Sequence, residues 1–202
     1  MNNISVLICG DSFAADWTVK YPDGQGWPNL LRKHYKVKNI AQAGCSEYKI
    51  LKQLQSENLD NYSHLILSHT SPNRIPVVKH PVHHSDLLHH SADLIYNDIN
   101  FHAKTNPALS PIVEYFEKYF DLDYSIYCYK LILDDIKKIL DKYPKLKVLH
   151  ISNLGLPENF CFDKDKSRNF NHLLSKHPGL YNHFNDYANQ YIYEDIKDFL
   201  NE

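Results

Sequence analysis

With 202 residues, 43% hydrophobic and 23% charged, the chain is long enough to bury most of its apolar surface as one domain without staples. A formal net charge of −2 with neutral histidines excludes a broad nucleic-acid or anionic-membrane footprint. No run approaches the length of a membrane span, and ISVLIC at 4–9 is too short for a signal-peptide core and has no basic lead-in, so a cytoplasmic address is expected.

In chain order, ISVLIC reads as a strand covered on both faces, and it runs straight into Gly10-Asp11-Ser12. GWPNLLRKHY predicts a helix with Trp27, Leu30 and Leu31 on one side. VKNIA (37–41) is a second strand, and Gly44 in AGC turns the chain into a helix, with Ser46 as its cap and Ile50, Leu51 and Leu54 as its buried stripe. HLILS (64–68) is a third strand, ending in HTSPNRIP. Between Val77 and Pro111 the one helical pattern is SDLLHHSADLIYNDI. PIVEYFEKYF gives a helix, and YSIYCYKLILDDIKKILDKYP a longer one, with Tyr129, Ile132, Leu133, Ile136, Ile139, Leu140 and Tyr143 at helical spacing. LKVLHIS (146–152) is a fourth strand, followed by a loop-rich segment. FNDYANQYIYEDIKDFL closes as a helix with Ala188, Ile192, Ile196 and Phe199 inward.

Alternating strands and helices imply crossover units and a mainly parallel sheet. The expected architecture is α/β, a three-layer αβα sandwich with a short sheet, in a single domain (1–202) with an insertion at about 77–125. The four cysteines, Cys9, Cys45, Cys128 and Cys161, form no CxxC pair and read as free buried thiols.

Ligands of such sheets bind beyond the carboxyl ends of the strands, and each loop there carries something specific. The first has Ser12, the second Gly44, the third Asn73, and the loop before the last helix has His183. A hydroxyl nucleophile needs a base, which an imidazole supplies near neutral pH, and acyl transfer needs donors for an oxyanion.

In these blocks the sequence resembles the SGNH/GDSL hydrolases: Gly10-Asp11-Ser12 after the first strand, Gly44 after the second, Asn73 after the third, and His183 just before the C-terminal helix. The resemblance implies a flavodoxin-like fold. It implies Ser12 as nucleophile, the Ser12 and Gly44 N–H groups with the Asn73 amide as oxyanion donors, and His183 as general base. Two departures stand out. Ser71-Pro72-Asn73-Arg74 lacks the family's glycine and aspartate at the third block, and His69 beside it could compete for the polar role. Leu180 replaces the aspartate three residues before His183. The base is then either half of a Ser-His dyad held by a backbone carbonyl or oriented by an acid from elsewhere. Asp186 is a weak substitute, because it starts the helix.

Asp11 and His69 are candidate pocket residues, with Asp11 making structural hydrogen bonds around the turn. Seven of the 13 histidines fall between His69 and His102, yet HPVHHSDLLHH contains no HExxH or HxH, so no metal and no cofactor are expected. Some of those imidazoles are read as lining or covering the pocket, where they can donate hydrogen bonds to a polyhydroxylated substrate. The expected activity is therefore esterase action on a small ester such as an O-acetylated carbohydrate, with no nucleic-acid or membrane partner. The same site could serve an acyltransferase of surface-polysaccharide modification, and a non-catalytic carbohydrate-binding or assembly protein could keep the fold without the carboxylate.

Overall fold

The computed structural model describes residues 4–153 and 167–202. The strands of the sheet are β1 (Ser5–Gly10), β2 (Lys36–Asn39), β3 (His64–His69), β4 (Lys147–Ser152) and β5 (Ser167–Asn169), all parallel, in the order β2-β1-β3-β4-β5, and a short strand β6 (Pro178–Tyr181) lies outside it. The helices are α1 (Trp27–Arg32), α2 (Glu47–Gln55), α3 (Tyr96–Ala103), α4 (Ser110–Lys118), α5 (Leu122–Leu140), α6 (Asn171–Lys176) and α7 (Asp186–Asn201). The expected three-layer α/β arrangement is present.

Period-two alternation along the buried strands explains the layers. Val6 and Ile8, Ile66, and Leu149 and Ile151 join one core with Trp27, Leu31, Ala188, Ile192, Ile196 and Phe199 from α1 and α7. Leu7 and Cys9, and Leu65 and Leu67, face the other way, onto Ile50, Leu51 and Leu54 of α2 and Tyr129, Leu133 and Ile136 of α5. A strand that feeds two cores must be apolar at every position, which is why ISVLIC and HLILS carry no polar stripe. Edge strand β2 instead exposes Lys36 and Lys38, charges that discourage pairing with another chain.

Two expectations in the middle of the chain are corrected. The helix over 85–99 does not form; α3 begins only at Tyr96. The aspartates of that pattern are used elsewhere. Asp86 accepts the N–H of Leu88 at 2.9 Å, and Asp93 accepts those of Ser46 and Val77 at 2.8 Å each. An Ile75–Leu94 bridge then pins the segment in extended form. The second correction is β5, which pairs His150 with Ser167 through Ser152 with Asn169 in a stretch expected to be loop. Cys9 and Cys45 are free and buried as expected, and Cys128 is free but only half-buried; Cys161 lies outside the described residues. Among the described residues no helix is long and apolar enough to cross a membrane.

Candidate active site

The strand order reverses between β1 and β3, so a crevice opens beyond their carboxyl ends. Gly10 ends β1 there, and Gln53 of α2 brackets its peptide, accepting from the Gly10 N–H at 2.8 Å and donating to the Gly10 carbonyl at 3.1 Å. The same carbonyl accepts from the Gln42 N–H at 3.0 Å and the Cys45 thiol at 3.3 Å, tying the loop after β2 to the turn after β1. Asp11 is fully buried, and its Oδ1 accepts the Phe13 N–H at 3.0 Å. Trp17 Nε1 donates to the Ser12 carbonyl at 3.0 Å, and Trp27 Nε1 to the Phe13 carbonyl at 2.8 Å. Side chains from four separate segments thus fix the Gly10–Phe13 turn.

His183 reaches this turn from the opposite side. Pro178–Tyr181 and Phe184 form a tight hairpin, and its two central residues, Asn182 and His183, have φ of 53° and 67°. Positive φ at both centres is the type I′ pattern, uncommon for any residue but glycine, though Asn and His enter it more readily than most. The turn is held by Asn182, whose Nδ2 donates to the carbonyls of Ser12 at 3.2 Å and Ala15 at 3.0 Å. Asn189 holds it from below, donating to the carbonyls of Tyr181 and Phe184 at 3.0 Å each. Gly26 lets Asn182 in, since a Cβ there would lie 1.7 Å from Asn182 Oδ1. The uncommon backbone conformation of His183 is therefore held by its surroundings.

The result is a distance of 2.7 Å between Ser12 Oγ and His183 Nε2. The imidazole lies 4.5 Å from the Phe13 ring, centroid to centroid, and edge-on to Trp17 at 5.9 Å. Burial among these rings, with the positive charge of Arg74 and His89 nearby, pushes its pKa down to about 4. The ring is neutral at pH 7, with Nε2 free to accept the serine proton. Among the described residues no side chain or carbonyl is hydrogen-bonded to Nδ1. Leu180 is half-exposed, and Asp186 is an exposed first residue of α7 capped by Asn185, so neither orients the ring.

Gly44 follows β2 with φ of +80°, and among the described residues neither its N–H nor that of Ser12 has an acceptor. Both remain available to a ligand. Asn73 corrects the expectation. It is exposed, and it lines a separate hollow with Tyr96, Phe116 and Phe120. The next residue, Arg74, takes the inward position: Nε donates to Thr70 Oγ1 at 2.9 Å, Nη1 donates to the Gly44 carbonyl at 3.0 Å, and Nη2 lies 3.9 Å from Asp11 Oδ2. Burial raises the Asp11 pKa to about 6 against the lowering effect of Arg74 and of the Phe13 N–H.

His69 is also corrected, because it does not line the crevice. It is buried between Glu47 Oε1 at 2.7 Å and His150 Nδ1 at 2.9 Å, in a chain that the Thr70 N–H extends to Glu47 Oε2. Sequence reasoning missed Glu47, His150, Arg74 and Asn182. Of these only Asn182 had a local signal, an Asn-centred turn before the last helix.

The histidine-rich segment is organised around Asp98. His83 Nε2 lies 3.0 Å and His80 Nε2 3.6 Å from that carboxylate, and His102 Nε2 lies 3.7 Å away. His80, His83 and Asp98 place ligand-type atoms within 4.8 Å of one another. However, the N–H groups of Val82 and His83 both donate to His80 Nδ1 at 3.1 Å, which puts the proton of the neutral ring on Nε2, facing Asp98. A cation would meet that N–H, not a lone pair. The segment covers the Gly44 turn through Leu88, packed with Ala15, Trp17 and Ala43, and only His89 among its imidazoles touches the rings of the site, edge-on to Trp17 at 6.3 Å.

A cavity of about 360 Å³ is walled by Arg74, Glu47, Ser71 and the rings of Tyr48, Tyr119 and Tyr124; it shares Arg74 with the site, but Ser12, Gly44 and His183 are not in its lining. Comparison with protein-family models, with curated proteins and with solved structures finds no match to this chain.

Proposed function

We propose that the chain is a serine ester hydrolase of the SGNH/GDSL type, working through a Ser12–His183 dyad. The observation that carries this reading is the 2.7 Å contact between Ser12 Oγ and Nε2 of a half-buried, neutral His183 at the switch point of the sheet. Ser12 Oγ attacks the ester carbonyl as Nε2 takes its proton, and the oxyanion is received by the Ser12 and Gly44 N–H groups. The imidazolium returns the proton to the leaving alcohol. A water then gives its proton to His183 and attacks the acyl-enzyme, releasing the acid and restoring Ser12. Without a carboxylate on Nδ1 the imidazolium is less stabilised than in a full triad, and turnover is correspondingly slower.

The proposed substrates are small esters of ring-bearing alcohols, O-acetylated carbohydrates foremost. Support comes from the tyrosine-walled cavity that reaches the site through Arg74, since such rings offer apolar faces for sugar C–H groups and hydroxyls for sugar oxygens. A cavity of that size also suits a sugar acceptor in place of water, which would make the same site an acyltransferase. The test is release of p-nitrophenol and acetate from p-nitrophenyl acetate, with and without added sugar acceptors. Acetate released in full in every case supports hydrolysis, and acetylated sugar at the expense of acetate supports transfer. No turnover above that of Ser12→Ala contradicts both and favours a non-catalytic binding role.

A further inference from the structure

We infer that Arg74 is a positioning residue of this site, holding the Gly44 carbonyl at the exit of the turn so that the preceding peptide, which carries the Gly44 N–H, is set in advance for the oxyanion. The inference rests on the esterase reading above. One planar guanidinium reaches the three loops that meet at the switch point: Thr70 after β3 at 2.9 Å, Gly44 after β2 at 3.0 Å and Asp11 after β1 at 3.9 Å.

Gly44 needs such a clamp. Glycine enters the left-handed region freely but leaves it as freely, so nothing intrinsic keeps its peptides in place. Here its carbonyl, in the peptide after the one that carries its N–H, accepts from Arg74 Nη1 at 3.0 Å and from the Asp93 N–H at 2.9 Å, while on the entry side the Gln42 N–H is tied to the Gly10 carbonyl at 3.0 Å; the Ala43–Gly44 peptide is thus restricted between two held ends. An oxyanion donor is useful in proportion to how little it must reorganise during the reaction. The guanidinium is itself immobile, with its side chain 10% exposed and Nε engaged by Thr70. Lysine offers a point charge on a flexible stem and cannot span the same acceptors.

The charge contributes a second effect. The groups facing His183 are Arg74 from the loop after β3, His89 from the histidine-rich segment, and Ser12 with the rings of Phe13 and Trp17 from the loop after β1. Arg74 is the strongest charge among them. It favours the neutral base and the negative intermediate alike.

The experiment compares wild type, Arg74→Lys and Arg74→Ala on p-nitrophenyl acetate, each checked for folding by circular dichroism and thermal melting. The expected result is a fall in kcat of about 100-fold in Arg74→Ala, with KM changed by less than about threefold. Arg74→Lys should recover little of kcat, because it restores charge but not the fork. The acid limb of kcat/KM against pH should move upward in Arg74→Ala and much less in Arg74→Lys. A folded Arg74→Ala enzyme with wild-type kcat and an unmoved limb overturns the inference while leaving the esterase reading intact; so does full recovery by lysine. If Arg74→Ala does not fold, Arg74→Lys decides on kcat alone. A wild-type protein with no Ser12-dependent turnover overturns both readings.

Discussion

The Asn182 amide donates to the Ser12 carbonyl at 3.2 Å, from the residue immediately before the imidazole that meets Ser12 Oγ. Ser12 and His183 lie 171 positions apart in the sequence, and this contact joins their loops. Asn182→Ala removes two buried hydrogen bonds and leaves a residue ill-suited to φ of 53°, so a loss of about 1–3 kcal/mol in chemical denaturation and at least a tenfold fall in kcat are expected. Asn182→Gly keeps the conformation and loses the amide. It should restore part of the stability and little of the rate. Equal recovery of both would mean that the turn's backbone, not the amide, holds the base.

The depressed pKa of His183 has a direct kinetic reading. The base works only when neutral, so kcat/KM should rise with pH through about 4 and be flat at neutrality. An acid limb at the ordinary histidine value near 6.5 would show the ring to be solvated and the hydrogen-bonded arrangement unformed. Stability follows the same sign. His183 and His80 are both held neutral, each pushed down to about 4, so the unfolded chain takes up protons first as pH falls below 6.5. Their part of the stability is full above 6.5 and is lost between 6.5 and 4. Asp11, raised to about 6, runs the other way, losing stability as pH rises from about 4 to 6. Equilibrium denaturation of the Asp11→Asn protein between pH 7 and 4 should therefore show a steeper loss toward acid than wild type.

Gly44→Ala tests the proposed second oxyanion donor. A Cβ there would sit 2.8 Å from Ala92 Cβ, on a residue with φ of +80°. Destabilisation of about 1–3 kcal/mol and a fall in kcat of about 100-fold are expected by urea denaturation and steady-state kinetics. Retention of full activity in the folded variant would remove Gly44 from the mechanism.

The Asp98 hub is expected to be structural. Asp98→Ala removes the carboxylate that His83 Nε2 meets at 3.0 Å and His80 Nε2 faces at 3.6 Å, and should lower stability by about 1–2 kcal/mol, a drop in Tm of about 2–8 °C. Prolonged chelation of wild type should change neither activity nor Tm. Restoration of a lost activity by zinc would make the cluster a metal centre instead.

Much of this arrangement was legible because period and position coincide. The runs at 4–9 and 64–68 could only be strands between two cores, and the apolar spacing from Ala188 to Phe199 fixed α7 and hence the loop carrying His183. The rest depended on contacts no local pattern encodes. Ser167–Asn169 has no strand signature and pairs only because β4 offers a free edge. The helical pattern of 85–99 lost to the long-range demands of Ser46, Val77 and Lys49 on Asp93. Asn73 and Arg74 are adjacent, and which of them turns inward is decided by acceptors at Thr70 and Gly44, on two different loops.

The most direct measurement is peptide mapping by mass spectrometry after exposure to a fluorophosphonate, which reports an activated serine without presuming a substrate. The account predicts one adduct, on Ser12, formed much more slowly in His183→Ala and absent in Ser12→Ala. Folded protein that stays unlabelled, or that carries its adduct on a different serine, would contradict it.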